Sequence, residues 1–178
     1  MKTLKSKCVI FALLLAVSFS ASAQQATPQE TLLDHLAGNW ILQGTIAGGE
    51  TTHDIESDWV LNHEYLRIHE TSREKNAQGK PAYEAIVFIS WEASSSDYRC
   101  LWLDSTSGEG LASTQGIAKG KRNGDEIAFL FKSKDGDFHT TFAYNRSADT
   151  WQWLMDGEEN GKLSPFARLK LTRKKAGS

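Results

Sequence analysis

Tyr65, Arg67 and His69 fall at alternate positions, as do Trp102 and Asp104. Alternation is the period of a β-strand, where residues two apart share a face. The first set then presents a phenol, a guanidinium and an imidazole together, and the second an indole and a carboxylate. Facing into a cavity, these groups would make a small-molecule site: Arg67 would pair with a ligand carboxylate or with Asp104, and the rings would supply apolar contact. Arg67, His69 and Asp104 are also the groups that a cofactor-free isomerase or hydrolase could use. Facing outward, the same residues form only a solvated surface and a structural ion pair.

Other chemistries are poorly served. His63-Glu64 with His69 suggests zinc, but the helical protease pattern needs histidines four apart and these are six apart. On a strand they stand about 20 Å apart and cannot share one ion. His69 could meet a metal only with His53 or His139 from other strands, so no metal is expected. Asp54, Glu56 and Asp58 alternate and could gather calcium or form an acid–base pair, yet a solvated outer face accounts for them equally. Asp135-Gly136-Asp137 and Asp156-Gly157-Glu158-Glu159 read as hairpin tips. There is no Gly-x-Ser-x-Gly elbow, and Gly108-Glu109-Gly110 lacks the third glycine of a dinucleotide loop. Cys100 sits among large apolar neighbours and reads as an inert thiol. No cofactor and no catalytic residue set is implied, and nothing compels an enzyme.

The elements that position these residues are mostly strands. One helix is signalled: Thr27-Pro28-Gln29-Glu30 forms a capping box, Leu32, Leu33 and Leu36 recur at helical spacing, and Gly38 ends it. Beyond Gly38, β-rich runs are read near 39–47, 51–61, 63–71, 82–91, 98–104, 111–121, 126–133, 138–145, 150–156 and 164–173. Asn123-Gly124, Asp135-Gly136 and Asn160-Gly161 suit hairpin turns that need positive φ. The fold class expected is all-β: one antiparallel meander of about ten strands, closed into a barrel that leaves no sticky edge. The run from Tyr83 to Trp91 is apolar on both faces at its centre, so its second face needs a cover, for which the N-terminal helix is a candidate.

The ends bound the setting. Lys2, Lys5 and Lys7, then the apolar run Val9–Phe19, then Ala21-Ser22-Ala23 have the order of a cleavable signal peptide, residues 1–23. That run is too short to span a bilayer, so the expected product is an exported, periplasmic or secreted domain over 24–178 with no integral membrane segment. Without the signal the chain carries 17 Lys and Arg against 22 Asp and Glu, a net charge of −5, which gives no general attraction for nucleic acid or anionic lipid. Only Cys100 of the two cysteines remains, so no intramolecular disulfide can form and the core must hold the fold alone.

Gly38-Asn39-Trp40, opening the first strand after a short helix, resembles the lipocalins and the wider calycin group. There a tryptophan plugs one barrel end and a basic residue of the last strand packs across it. In Leu169-Lys170-Leu171-Thr172-Arg173, parity puts Arg173 on the face of the leucines. The resemblance thus implies a structural Trp40–Arg173 cation–π pair, with Arg168 as second choice. The order of Leu36-Ala37-Gly38-Asn39-Trp40, Trp59–Leu66, Tyr98–Ser105 and Leu171-Thr172-Arg173 is similar to an often secreted bacterial family of lipocalin-like proteins of unknown function. That family has Gly-Gly where this chain has Asn62-His63, which removes the usual basis for a tight turn. The resemblance implies a fold and a cavity, and no activity.

Three readings follow. The first is a lipocalin-like binding protein for a small, partly apolar or amphipathic ligand. The second is a structural or interaction module whose barrel is filled by its own side chains. The third is a cofactor-free enzyme built on Arg67, His69 and Asp104.

Overall fold

The computed structural model describes residues 32–106, 116–134 and 136–175. The expected signal peptide, the capping box at 27–30, Gly108-Glu109-Gly110 and Asp135 lie outside the described residues. Ten strands follow one another: β1 Gly38–Ile46, β2 Gly49–Val60, β3 Tyr65–Ser72, β4 Glu84–Glu92, β5 Asp97–Asp104, β6 Ile117–Asn123, β7 Glu126–Phe131, β8 Asp137–Asn145, β9 Thr150–Glu159 and β10 Lys162–Arg173. Each pairs antiparallel with its chain neighbour, and β1 pairs with β10 to close the barrel, Trp40 opposite Arg173 and Gly44 opposite Leu169. This is a lipocalin-like meander, as the turn signals and alternation imply.

Alternation sets the inside. On β3 the buried residues are Leu66, Ile68, Glu70 and Ser72; on β4 they are Ala85, Val87 and Ile89; on β9 they are Trp151, Trp153 and Met155. Asp54, Glu56 and Asp58 lie on the outward side of β2. Two turn assignments change. Asp156-Gly157-Glu158-Glu159 is not a hairpin tip: it continues β9, pairs with 162–165, and the tip is Asn160-Gly161. A tight turn also forms at 61–64 without glycine. Leu61, Asn62 and His63 all take left-handed φ, from 50° to 68°, a conformation costing roughly 1–2 kcal/mol per residue for side chains with a Cβ. Contacts offset that cost: His63 stacks on Trp59 at 3.9 Å, and its Nε2 lies 3.6 Å from Asp34.

The lower barrel end, where β1 begins and β10 finishes, is plugged. A helical turn at 32–34 and the residues after it bury Leu32, Leu33 and Leu36 in the same core as Trp40. These leucines close the barrel end. They do not cover the outer face of β4, where Ile86 and Phe88 are half-buried beside Leu101 and Leu103 of β5. Trp40 Nε1 donates to the Leu36 carbonyl at 2.8 Å. Arg173 Cζ sits 4.0 Å from the Trp40 ring centroid while its Nη1 and Nη2 donate to the Ala37 and His35 carbonyls. Gly38 does not cap the helix. It is already strand, at φ 122°, and a Cβ there would stand 2.6 Å from Arg173 Nη1, so glycine makes room for the guanidinium. Above the plug, Tyr98, Phe129, Phe142, Trp151 and Trp153 are fully buried and fill the lower and middle barrel. Gly120 fits this packing because a Cβ would meet the Phe129 ring at 2.4 Å.

Candidate ligand-binding site

The strand faces separate the residues grouped by sequence. Tyr65, Arg67 and His69 are on the outward side of β3, since the buried side is Leu66, Ile68 and Glu70. The expectation that they line a cavity is corrected: Arg67 donates to Asp58 Oδ1 from Nη2 at 2.8 Å, and His69 Nε2 lies 2.7 Å from Glu84 Oε1. Trp102 and Asp104 share the inward parity of the buried Tyr98 and Cys100. Arg67 and Asp104 therefore lie on opposite sides of the wall, so neither their ion pair nor the Arg67/His69/Asp104 catalytic cluster forms. His53 points inward while His69 pairs outside, and among the described residues no three metal-ligating side chains come together.

What the fold does assemble lies in the upper half of the barrel. His53 of β2 and Glu70 of β3 are almost fully buried, with exposures of 3% and 1%. His53 Nδ1 lies 2.5 Å from Glu70 Oε1, and its Nε2 lies 2.7 Å from Thr51 Oγ1. The second carboxylate oxygen, Glu70 Oε2, is sealed from solvent and accepts no hydrogen bond among the described residues. Ser57 Oγ is in the same condition among the described residues, but it lies at the lower end, opposite Gly38. The register carries Glu70 to Ala85 and Ala85 to Asp104, so two carboxylates flank one small residue at a single level.

Rings wall this cluster. Tyr83, two residues before Ala85, stacks on His53 at 5.8 Å, and its oxygen accepts from Trp102 Nε1 at 3.1 Å. Trp102 leans on Trp153 at 5.2 Å, whose own Nε1 donates to the buried Thr140 hydroxyl. Burial holds the Tyr83 phenol well above its usual range; the Glu70 and Asp104 charges push the same way, against the Trp102 N–H. Tyr83 is thus a neutral hydroxyl at any ordinary pH. An open hollow of about 560 Å³ lies at the β1–β2–β3 rim, lined mainly from the outer side of the wall by Gln43, Thr45, Glu50, Thr52 and Arg73.

Glu70, His53 and Tyr83 were not grouped by sequence reasoning, although a signal existed. Glu70 shares parity with Leu66 and Ile68, and His53 with Ile55. A carboxylate in register with a strand's aliphatic face is one the fold must bury. Burial alone also pushes the Cys100 thiol up, in keeping with an inert core cysteine.

The fold and this interior define a class: a closed ten-stranded meander barrel with a plugged lower end and a polar, ring-walled upper half. Comparison of the sequence with protein-family models and with characterised proteins finds no match.

Proposed function

We propose that this is an exported lipocalin-like protein that binds a small, partly apolar ligand in the upper half of its barrel. The observation that carries the reading is Glu70 Oε2, a buried carboxylate oxygen without a donor in a ring-walled interior. An oxygen left so costs about 1–3 kcal/mol in the empty protein, and more when charged, and a ligand donor recovers that cost. The filled lower barrel confines the ligand to the upper half. Native mass spectrometry on protein purified gently from its own host tests this. A stable added mass, lost in Glu70→Gln, is expected. A bare chain, unchanged after incubation with lipid and metabolite extracts, refutes it. Export is supported by the tripartite start of the chain, and N-terminal sequencing of the mature protein is expected to begin at Gln24.

One observation favours the interaction-module reading instead. Ile86, Phe88, Leu101 and Leu103 adjoin on the outward side of β4 and β5, and Ile117, opposite Leu101, is 63% exposed. If no ligand is captured, this wall is the surface to test by substitution of Ile117 and Phe88.

A further inference from the structure

The chemistry of the interior narrows the ligand class, on the reading that the upper half of the barrel is a ligand site. We propose that this site takes a protonated primary amine carrying an aromatic or apolar body, with its ammonium on Glu70 Oε2 and its body among Tyr83, Trp102 and Trp153.

The balance of buried groups points this way. The buried polar and charged side chains of the described residues are His53, Ser57, Glu70, Ser72 and Thr140, with no Lys or Arg among them. Arg67, the cation that sequence reasoning reserved for a ligand carboxylate, is outside the wall and paired with Asp58. An anionic ligand would therefore enter without a buried cation to meet it, beside Glu70 and near Asp104. The His53 contacts leave Oε2 unserved. Nδ1 faces Glu70 Oε1 and Nε2 faces Thr51 Oγ1, so neither ring nitrogen is left for the second carboxylate oxygen. An ammonium supplies the missing N–H together with a cation, which no buried Lys or Arg of the described residues provides. The surrounding rings offer π-faces, which attract cations and accept an apolar body equally well.

The test uses four probes of similar size on the wild-type protein: 2-phenylethylamine, its trimethylammonium analogue, 2-phenylethanol and 3-phenylpropanoate. Binding is read by quenching of tryptophan fluorescence and confirmed by native mass spectrometry. The primary amine is expected to bind roughly tenfold or more tighter than the alcohol, the loss of one charge-assisted hydrogen bond. The propanoate is expected not to bind, and the trimethylammonium analogue, which has no N–H for Oε2, to bind more weakly than the primary amine. Glu70→Gln is expected to abolish the preference for amine over alcohol. If that variant does not fold, the wild-type series still decides. An alcohol or propanoate that binds as tightly as the amine overturns the amine assignment while leaving a ligand-binding barrel. A trimethylammonium analogue that matches the primary amine overturns the role of Oε2. Failure of every probe, together with failure to capture any mass from extracts, overturns both the assignment and the reading beneath it.

Discussion

Removing the guanidinium of Arg173 should loosen the lower barrel end by an amount the structure allows to be worked out. Arg173 makes a cation–π contact with Trp40, donates to the carbonyls of Ala37 and His35, and donates from Nε to Asp149 Oδ2 at 2.7 Å. A cation–π pair at a partly exposed site is worth about 1 kcal/mol. Each hydrogen bond from a charged donor to a backbone carbonyl is worth ~1.5–3 kcal/mol when buried, and about 1 when the side chain is 39% exposed, as here. The Asp149 pair, open to water, adds roughly 0.5. Arg173→Ala should therefore cost about 3.5 kcal/mol, a fall in the urea midpoint of about 1.75 M at a slope near 2 kcal/mol/M. Arg173→Lys keeps the charge but cannot stack on Trp40 and reach two carbonyls together, so it should lose at least half as much. Asp149→Ala should lose under about 1 kcal/mol. Equilibrium urea unfolding followed by tryptophan fluorescence measures all three. An Arg173→Ala midpoint within about 0.5 M of wild type, or a lysine variant equal to wild type, would refute the lock.

Leu61→Gly should stabilise the protein by about 1 kcal/mol in the same assay, because glycine takes the left-handed conformation that the exposed Leu61 holds under strain; a destabilised variant would show that the turn is not strained. Cys100 should resist thiol reagents in the folded protein and react only as fast as the barrel opens, since it is fully buried with its thiol pushed up; rapid labelling under native conditions contradicts this. Asp54 is held down at about 2, chiefly by hydrogen bonding to Arg73, with Lys174 adding and burial opposing. Its folded value lies below the ordinary 3.8, so its stabilisation is present above that pH and is lost as pH falls toward 2. The carboxyl is about a third exposed, so screening leaves less than ~1 kcal/mol. Asp54→Asn should flatten the stability curve between pH 5 and 2 by that amount, and parallel curves for the two proteins would rule it out.

The strands were legible because both signals that define them are local. Turn dipeptides mark where they end, and alternation marks which side is apolar, so Leu169, Leu171 and Arg173 could be placed on one face before any contact was known. The site was harder to read for a related reason. On β3 both sides carry large residues, with Tyr65, Arg67 and His69 against Leu66, Ile68 and Glu70, and chemistry-bearing side chains drew attention to the wrong one. Aliphatic burial decided the matter: two aliphatic chains gain more from leaving water than a phenol gains, and a guanidinium loses heavily on doing so. Glu70 follows them inside because strand parity leaves it no choice. The Asn62-His63 turn was illegible because its compensation comes from Trp59 and from Asp34, far away in sequence. The β9–β10 hairpin extends past the expected tip because Gly157 and the acidic residues after it tolerate strand pairing when Lys162, Leu163 and Ser164 lie opposite.

Closure of the barrel has a consequence for how the chain is made. Nine of its ten strand pairs join neighbours in sequence, and each can form as the chain emerges. The tenth joins β1 to β10, the first and last strands of the described fold, so the first strand must wait for β10 before its free edge is covered. Until then Trp40 lacks Arg173, and the interior carboxylate of Glu70 sits in a sheet still open to water. The barrel can therefore close only after β10 has been made, and a chain truncated before Leu169 would keep two unpaired edges, with self-association as the expected fate.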